Sequence, residues 1–157
     1  MDADKFRSLF EYHFEFNHRI WEVCVEQLSE EGMSHGFEFS HGSIHSLFVH
    51  IMSVDDRWFA GLLGDESPGF LDASQFTSSN SIREKWDEVE RTMHEYLSKL
   101  ENSHLSEPFA EGLVKWEVLF HVINHGTHHR AQMYAMLNQM GIKANLQDYA
   151  LYKMGRI

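Results

Sequence analysis

Apolar residues recur at three- and four-residue steps through four stretches of this chain, the period of an amphipathic helix. The first stretch runs from about Asp4 to Glu31, with Phe6, Leu9, Phe10, Phe14, Ile20, Trp21, Cys24 and Leu28 along one stripe and Gly32 as its stop. A polar linker, "MSHGFEFSHGS", leads to the second, from about Ser43 to Leu63. There Ile44, Leu47, Phe48, Ile51, Trp58 and Leu62 share a face, and Gly64 stands where a capping glycine belongs. Residues 65–80, rich in Ser, Asp, Gly and Pro, read as a long crossover loop. The third helix opens at "SIRE", a capping box of Ser81 and Glu84, and continues through Ile82, Trp86, Val89, Met93, Leu97 and Leu100. After a loop over 102–112, the fourth runs from about Leu113 to Met140 and stops at Gly141. The final sixteen residues, "IKANLQDYALYKMGRI", carry no clear period. Four long amphipathic helices without strand-like alternation predict an all-α four-helix bundle.

The chain has 157 residues, the size of one domain, and 43% of them are apolar. A single domain over 1–157 is expected, with roughly two thirds of the unfolded chain's surface buried on folding. No apolar run is long enough to span a bilayer, and "MDADKFRSLF" lacks the basic-then-apolar pattern of a secretory signal. A soluble, cytoplasmic protein with no membrane partner is therefore expected. Cys24 is the lone cysteine, which rules out an intrachain disulfide and an all-cysteine zinc site. The formal charge of −11 and the lack of any Lys/Arg cluster argue against a nucleic-acid partner.

Candidate chemistry centres on "HVINHGTHHRAQ", residues 121–132, which holds four of the chain's 12 histidines. With His121 set at 0° on a helical wheel, Val114, Val118, Val122, Met133, Met136 and Met140 fall between roughly 20° and 120° and define the core-facing stripe. His125 at about 40° and His129 at about 80° lie inside it; His121 and His128, near 0° and about −20°, lie on its flank. A lone inward histidine is usually a hydrogen-bonded core residue. An i, i+4 pair about 6 Å apart along the axis is also a metal-binding arrangement. Stable sites want a third protein ligand, so another helix must supply one. His50 on the second helix and His13 on the first are the candidates, and spacing alone does not choose between them. Trp116, Phe120 and Ile123 fall near 200–260° on the same wheel, away from the stripe, as a neighbouring helix or a second subunit would require.

Other metal motifs are missing or incomplete. The residue after His125 is Gly126, where the HExxH metalloprotease motif needs glutamate. "EFNH" (Glu15–His18) and "ENSH" (Glu101–His104) mimic half of a bundle di-iron set, but the second sits at a helix end and neither includes the 125/129 pair. There is no Gly-rich phosphate loop and no GxSxG elbow.

"SIHSLFVHIMSVDDRWFAGLLG" followed, some 60 residues on, by "LFHVINHGTHHRAQMYAML" resembles the DinB/YfiT-like family of metal-dependent enzymes. The likeness covers nearly the whole chain, and the helix-two histidine with the later HxxxHR is its specific part. Membership implies a four-helix bundle in up-down-down-up order, which suits the long 65–80 loop. It also implies a divalent metal ion held by His50, His125 and His129, choosing His50 over His13. Relatives commonly carry "HHRGQ"; here Ala131 replaces the glycine. Characterised relatives include transferases and isomerases that use a low-molecular-weight thiol such as bacillithiol or mycothiol, many are homodimers, and some have lost the metal.

The expected function is therefore a metal-dependent S-transferase in which a thiol meets an electrophilic small molecule, with zinc or nickel ahead of iron or manganese. No catalytic side chain is assigned. Asp55, His121 and Arg130 are candidates to support the ligands or contact the substrate, and Gln132 is a weaker one. The alternatives are a hydrolase using the same ion and a non-catalytic stress-response or scaffold protein. In the last, the metal ties two helices together, with His121 or His13 as a fourth ligand, or the site stays vacant.

Overall fold

A computed structural model of the chain describes residues 1–110, 112–144 and 147–157. The long helices are α1 (Ala3–Gln27), α3 (Ile44–Leu63), α4 (Ser79–Ser98) and α5 (Lys115–Gln139); α2 (Glu30–Met33) and α6 (Tyr149–Lys153) are short. Two 3-10 turns, Ala73–Gln75 and Asn102–Ser106, lie in the loops expected over 65–80 and 102–112. The loop reading at Glu111, and the tail at Asn145 and Leu146, fall outside the described residues.

Helix ends follow local chemistry. The Ser43 hydroxyl accepts from the Ser46 amide at 3.0 Å and starts α3. Gly64, at φ +84°, ends it in the left-handed region, where a side chain would be strained. The capping box of α4 is Ser78 with Ser81, one turn earlier than the expected Ser81 with Glu84. The first helix also stops earlier than expected. Leu28 turns extended, and Ser29 caps the one-turn α2 through the Gly32 amide. The α5 start is held by Glu117, whose carboxylate accepts from the Val114 amide at 2.9 Å. The far end of α4 is closed by Arg7 of α1, which donates to the carbonyls of Leu97 and Leu100.

Contacts between helices give their directions. His18 and Trp21 of α1 meet Glu90 and Trp86 of α4, while Arg7 meets Leu97, so these two run antiparallel. Arg130 of α5 bonds Asn17 of α1, and Gly126 abuts His13, so α1 and α5 run parallel. His50 with His125 and Trp58 with His121 set α3 against α5. Phe48 with Trp86 and Phe59 with Tyr96 set α3 parallel to α4. The order is up-down-down-up, and the 65–78 connection must travel the bundle's length to join two parallel helices.

The core is aromatic. Trp21, Phe48 and Trp86 stack edge to face or tilted with centroids 4.9–5.7 Å apart, while Phe6, Phe10, Phe16 and Phe59 are fully buried. Helix α5 packs on both α1 and α3, so its buried arc is wider than one stripe. Ile123, expected to face outward, is buried, whereas Trp116 and Phe120 are 41% and 49% exposed. No helix among the described residues is long and apolar enough to cross a membrane.

Candidate metal centre

Four imidazoles meet where the middle of α3 crosses α5. His50 lies two turns after the Ser43 cap, on the same α3 face as Val54 and Trp58. Its Nε2 is 3.0 Å from Nε2 of His125. Ring centroids are 5.0 Å apart for His50 and His125, 4.7 Å for His50 and His129, and 4.3 Å for His125 and His129. The three rings singled out by the sequence therefore converge. His13, the competitor, does not join them.

A fourth ring was not foreseen. His41, from the loop before α3, stacks on His50 at 3.8 Å and lies 5.3 Å from His129. Ligand nitrogens of His41, His50 and His129 all lie within 4.8 Å of one another. The loop is pinned by Ser40, at φ +57°, whose hydroxyl donates to Gln132 of α5 at 2.5 Å. Only the density of histidine in "SHGSIH" hinted at this, since a loop residue has no periodicity to read.

The rings suit a cation in three respects. Burial, reinforced by its histidine neighbours, holds His50 down at about 4 and His125 at about 3; burial also lowers His41 and His129. All four are thus neutral at pH 7 and offer lone pairs. His129 Nδ1 donates to Gln132 Oε1 at 2.7 Å, which puts the ring's proton on Nδ1 and leaves Nε2 bare. The 3.0 Å between Nε2 atoms of His50 and His125 is close to the about 3.3 Å that separates two nitrogens on one tetrahedral ion. The donor set fits a divalent transition metal.

The remaining candidates take other places. His121 is exposed, with its ring 5.2 Å from Trp58 and 5.7 Å from His125. His128 is exposed and accepts from Gln132 at 3.0 Å. Asp55 points instead at α1, its Oδ2 3.6 Å from His13 Nε2, and burial pushes its carboxyl above the usual range. Arg130 is fully buried and faces α1 as well. It donates to Asn17 at 2.6 Å, Thr127 at 3.1 Å and Gln147 at 3.2 Å, and its Nη1 lies 3.4 Å from His13 Nδ1. Burial lowers it to about 10, so it stays charged at neutral pH. Arg130 is thus a tie between helices rather than a substrate contact. His18 pairs with Glu90, and His104 Nδ1 accepts from the Glu101 amide, so neither E-x-x-H motif reaches the centre. Cys24 is buried, and burial pushes its thiol up to about 12, so it is no nucleophile at neutral pH.

A cavity of about 580 Å³ opens beside the rings, with His50 and His125 in its wall. Its other walls come from Trp58 of α3 and from the loops carrying Phe70 and Phe109.

Comparison with known proteins agrees with this architecture. A solved DinB-like protein from Bacillus cereus ATCC 10987 superposes with a TM-score of 0.74 over 92% of this chain and 97% of its own, at 22% identity. Protein DinB of Bacillus subtilis (strain 168) is 29% identical over 158 aligned positions, covering 92% of this chain and 91% of that one. The DinB family model matches residues 1–156, and the chain belongs to the DinB family.

Proposed function

We propose that the protein is a metal-dependent enzyme that transfers the sulfur of a low-molecular-weight thiol to an electrophilic small molecule. The observation that carries this reading is the juxtaposition of neutral, convergent imidazoles with a cavity large enough for a substrate. His50, His125 and His129 would hold a divalent ion, zinc or nickel before iron or manganese, since neutral nitrogen donors suit all of these. Bound there, such an ion supplies Lewis-acid chemistry, lowering the pKa of a thiol or water that coordinates it.

The chain's own residues prepare the site. Gln132 fixes the His129 tautomer, and the neutral rings leave a cation's charge uncompensated for an incoming anion. Trp58, Phe70 and Phe109 exclude water from one side. In the reaction, sulfur forms a bond to carbon, the thiol proton passes to solvent and the electrophile's leaving group departs with the bonding pair. No protein cysteine is needed, in keeping with the inert Cys24.

A second reading rests on His41. If that ring joins His50 and His129, a fourth protein ligand closes the site and the metal becomes a structural tie between the α3 region and α5. Metal content of untagged protein, alongside His50→Ala and His129→Ala, tests the centre. About one equivalent per chain is expected, lost in both variants with helicity intact. Thiol consumption with monobromobimane then separates the readings. Equal rates for wild type and His129→Ala would sink the enzymatic one.

A further inference from the structure

The cavity beside the histidines has a one-sided lining. The chain carries 24 Asp and Glu against 13 Lys and Arg, yet among the described residues no carboxylate lines this space, and the one Lys or Arg that does is Arg57. Arg57 is held in place rather than paired. Its Nη1 donates to the Pro68 carbonyl, and its Cζ sits 4.1 Å over the Phe70 ring. Among the described residues it forms no ion pair, so most of its N–H groups remain to receive a ligand.

The walls are flat and aromatic. Trp58 and Phe109 meet with centroids 5.7 Å apart. Phe109 reaches this position because residue 61 is glycine: a Cβ there would lie 2.7 Å from Phe109 Cζ. The Phe109 amide donates to the Leu113 carbonyl at 2.8 Å and the Lys115 amide to the Glu107 carbonyl at 3.0 Å, and these bonds tie the backbone of Phe109 to the start of α5. Along α3, Arg57 follows His50 by seven residues. The two share a face and stand about 10.5 Å apart along the axis.

We propose that this cavity binds a small molecule with a planar apolar body and one carboxylate, the carboxylate on Arg57 and the opposite end against His50 and His125. This deepens the enzymatic reading by naming the class of its electrophile, and it rests on that reading only for the chemistry. A single guanidinium suits a planar carboxylate, which it can grip through two parallel hydrogen bonds. Trp58 and Phe109 suit a conjugated or aromatic body.

The test is an NMR titration of the isotope-labelled full chain, following the Trp58 indole resonance, with trans-cinnamate and its neutral isostere trans-cinnamamide. Chelator-treated protein is used, so the outcome does not depend on a metal being held. Wild type is expected to bind the acid at least about tenfold more tightly than the amide, as a charge-assisted pair requires. Arg57→Gln should bring the two within about twofold without weakening the amide, and Arg57→Lys should restore part of the preference. Phe109→Ala should weaken both ligands. Equal affinity for acid and amide in wild type, a preference that survives Arg57→Gln, or no Trp58 shift with either at millimolar concentration would overturn the proposal. Failure of the metal reading would show separately, in metal content.

Discussion

Gly126→Ala adds one methyl group in the middle of α5, a change that on helix propensity alone should stabilise the chain by about 1 kcal/mol. The neighbours reverse that sign. The new Cβ would lie 2.4 Å from His13 Cε1, 2.8 Å from His13 Nδ1 and 2.9 Å from Arg130 Nη1. His13 has nowhere to retreat. Its ring is fully buried, faces Asp55 at 3.6 Å and lies 3.0 Å from the Asn17 amide nitrogen. Overpacking of this kind costs roughly 1–3 kcal/mol, and a displaced ring that leaves a buried polar partner unmet adds about 1–3 more. After the propensity gain, a net loss of about 1–5 kcal/mol is expected, a fall in Tm of roughly 3–15 °C for a chain of this size. Urea and thermal unfolding followed by circular dichroism on metal-free protein measure it. His13→Ala is the internal control, because it removes two of the three close atoms. In that background Gly126→Ala should cost less, with a coupling above about 1 kcal/mol. A wild-type background in which Gly126→Ala is neutral or stabilising would refute the close approach of α1 and α5.

Gln132→Ala removes the acceptor that orients His129 and should lower zinc affinity about 10- to 100-fold, measured by competition with a chromophoric chelator; unchanged affinity would dismiss the orienting role. His50 and His125 titrate at about 4 and about 3 in the folded chain, below the ordinary 6.5, so between those limits the unfolded chain binds more protons. The metal-free protein should therefore keep its full stability above about pH 6.5 and lose it as pH falls through about 4. Urea midpoints that do not drop from neutral pH to near pH 5, or that drop equally in the His50→Ala, His125→Ala double variant, would contradict this. Trp116 and Phe120 leave an apolar patch on α5 that we expect a second copy to cover. Sedimentation showing only monomer at micromolar concentration, or a dimer insensitive to Phe120→Glu, would count against it.

The long helices were legible because each buries a stripe, and burial imposes the period that the sequence displays. The α3 limits were legible because Ser43 and Gly64 each do a job that few residues do. The α4 start was not, since "TSSNS" offers several serines and only packing selects Ser78. Ile123 was misplaced because a single-stripe wheel assumes one neighbour, whereas α5 lies between α1 and α3. On the wheel His125 and His129 fell inward, and inward they lie. His41 was invisible for a different reason. Its position is set by a contact between Ser40 and a residue 92 positions away, and no local pattern encodes that. Asp55, a candidate to support the ligands, has its partner, His13, on another helix, and a contact between helices leaves no local pattern to read.

The stretch "HVINHGTHHRAQ" thus divides its polar residues between two neighbours. His125 and His129 face α3, while Gly126 and Arg130 face α1. The second group matters to the first. A ligand set tolerates only about 0.5 Å or 10–20° of misplacement, and a helix held on one side alone can roll about its axis. Arg130 opposes such a roll through its donations to Asn17 of α1 and Gln147 of the tail, while Thr127 of its own helix only orients the guanidinium. Gly126 lets α1 come close enough for those bonds to form. The glycine that is a poor helix former, and the arginine buried next to a ligand, are on this reasoning part of what positions the imidazoles, although neither faces the space where a cation would sit.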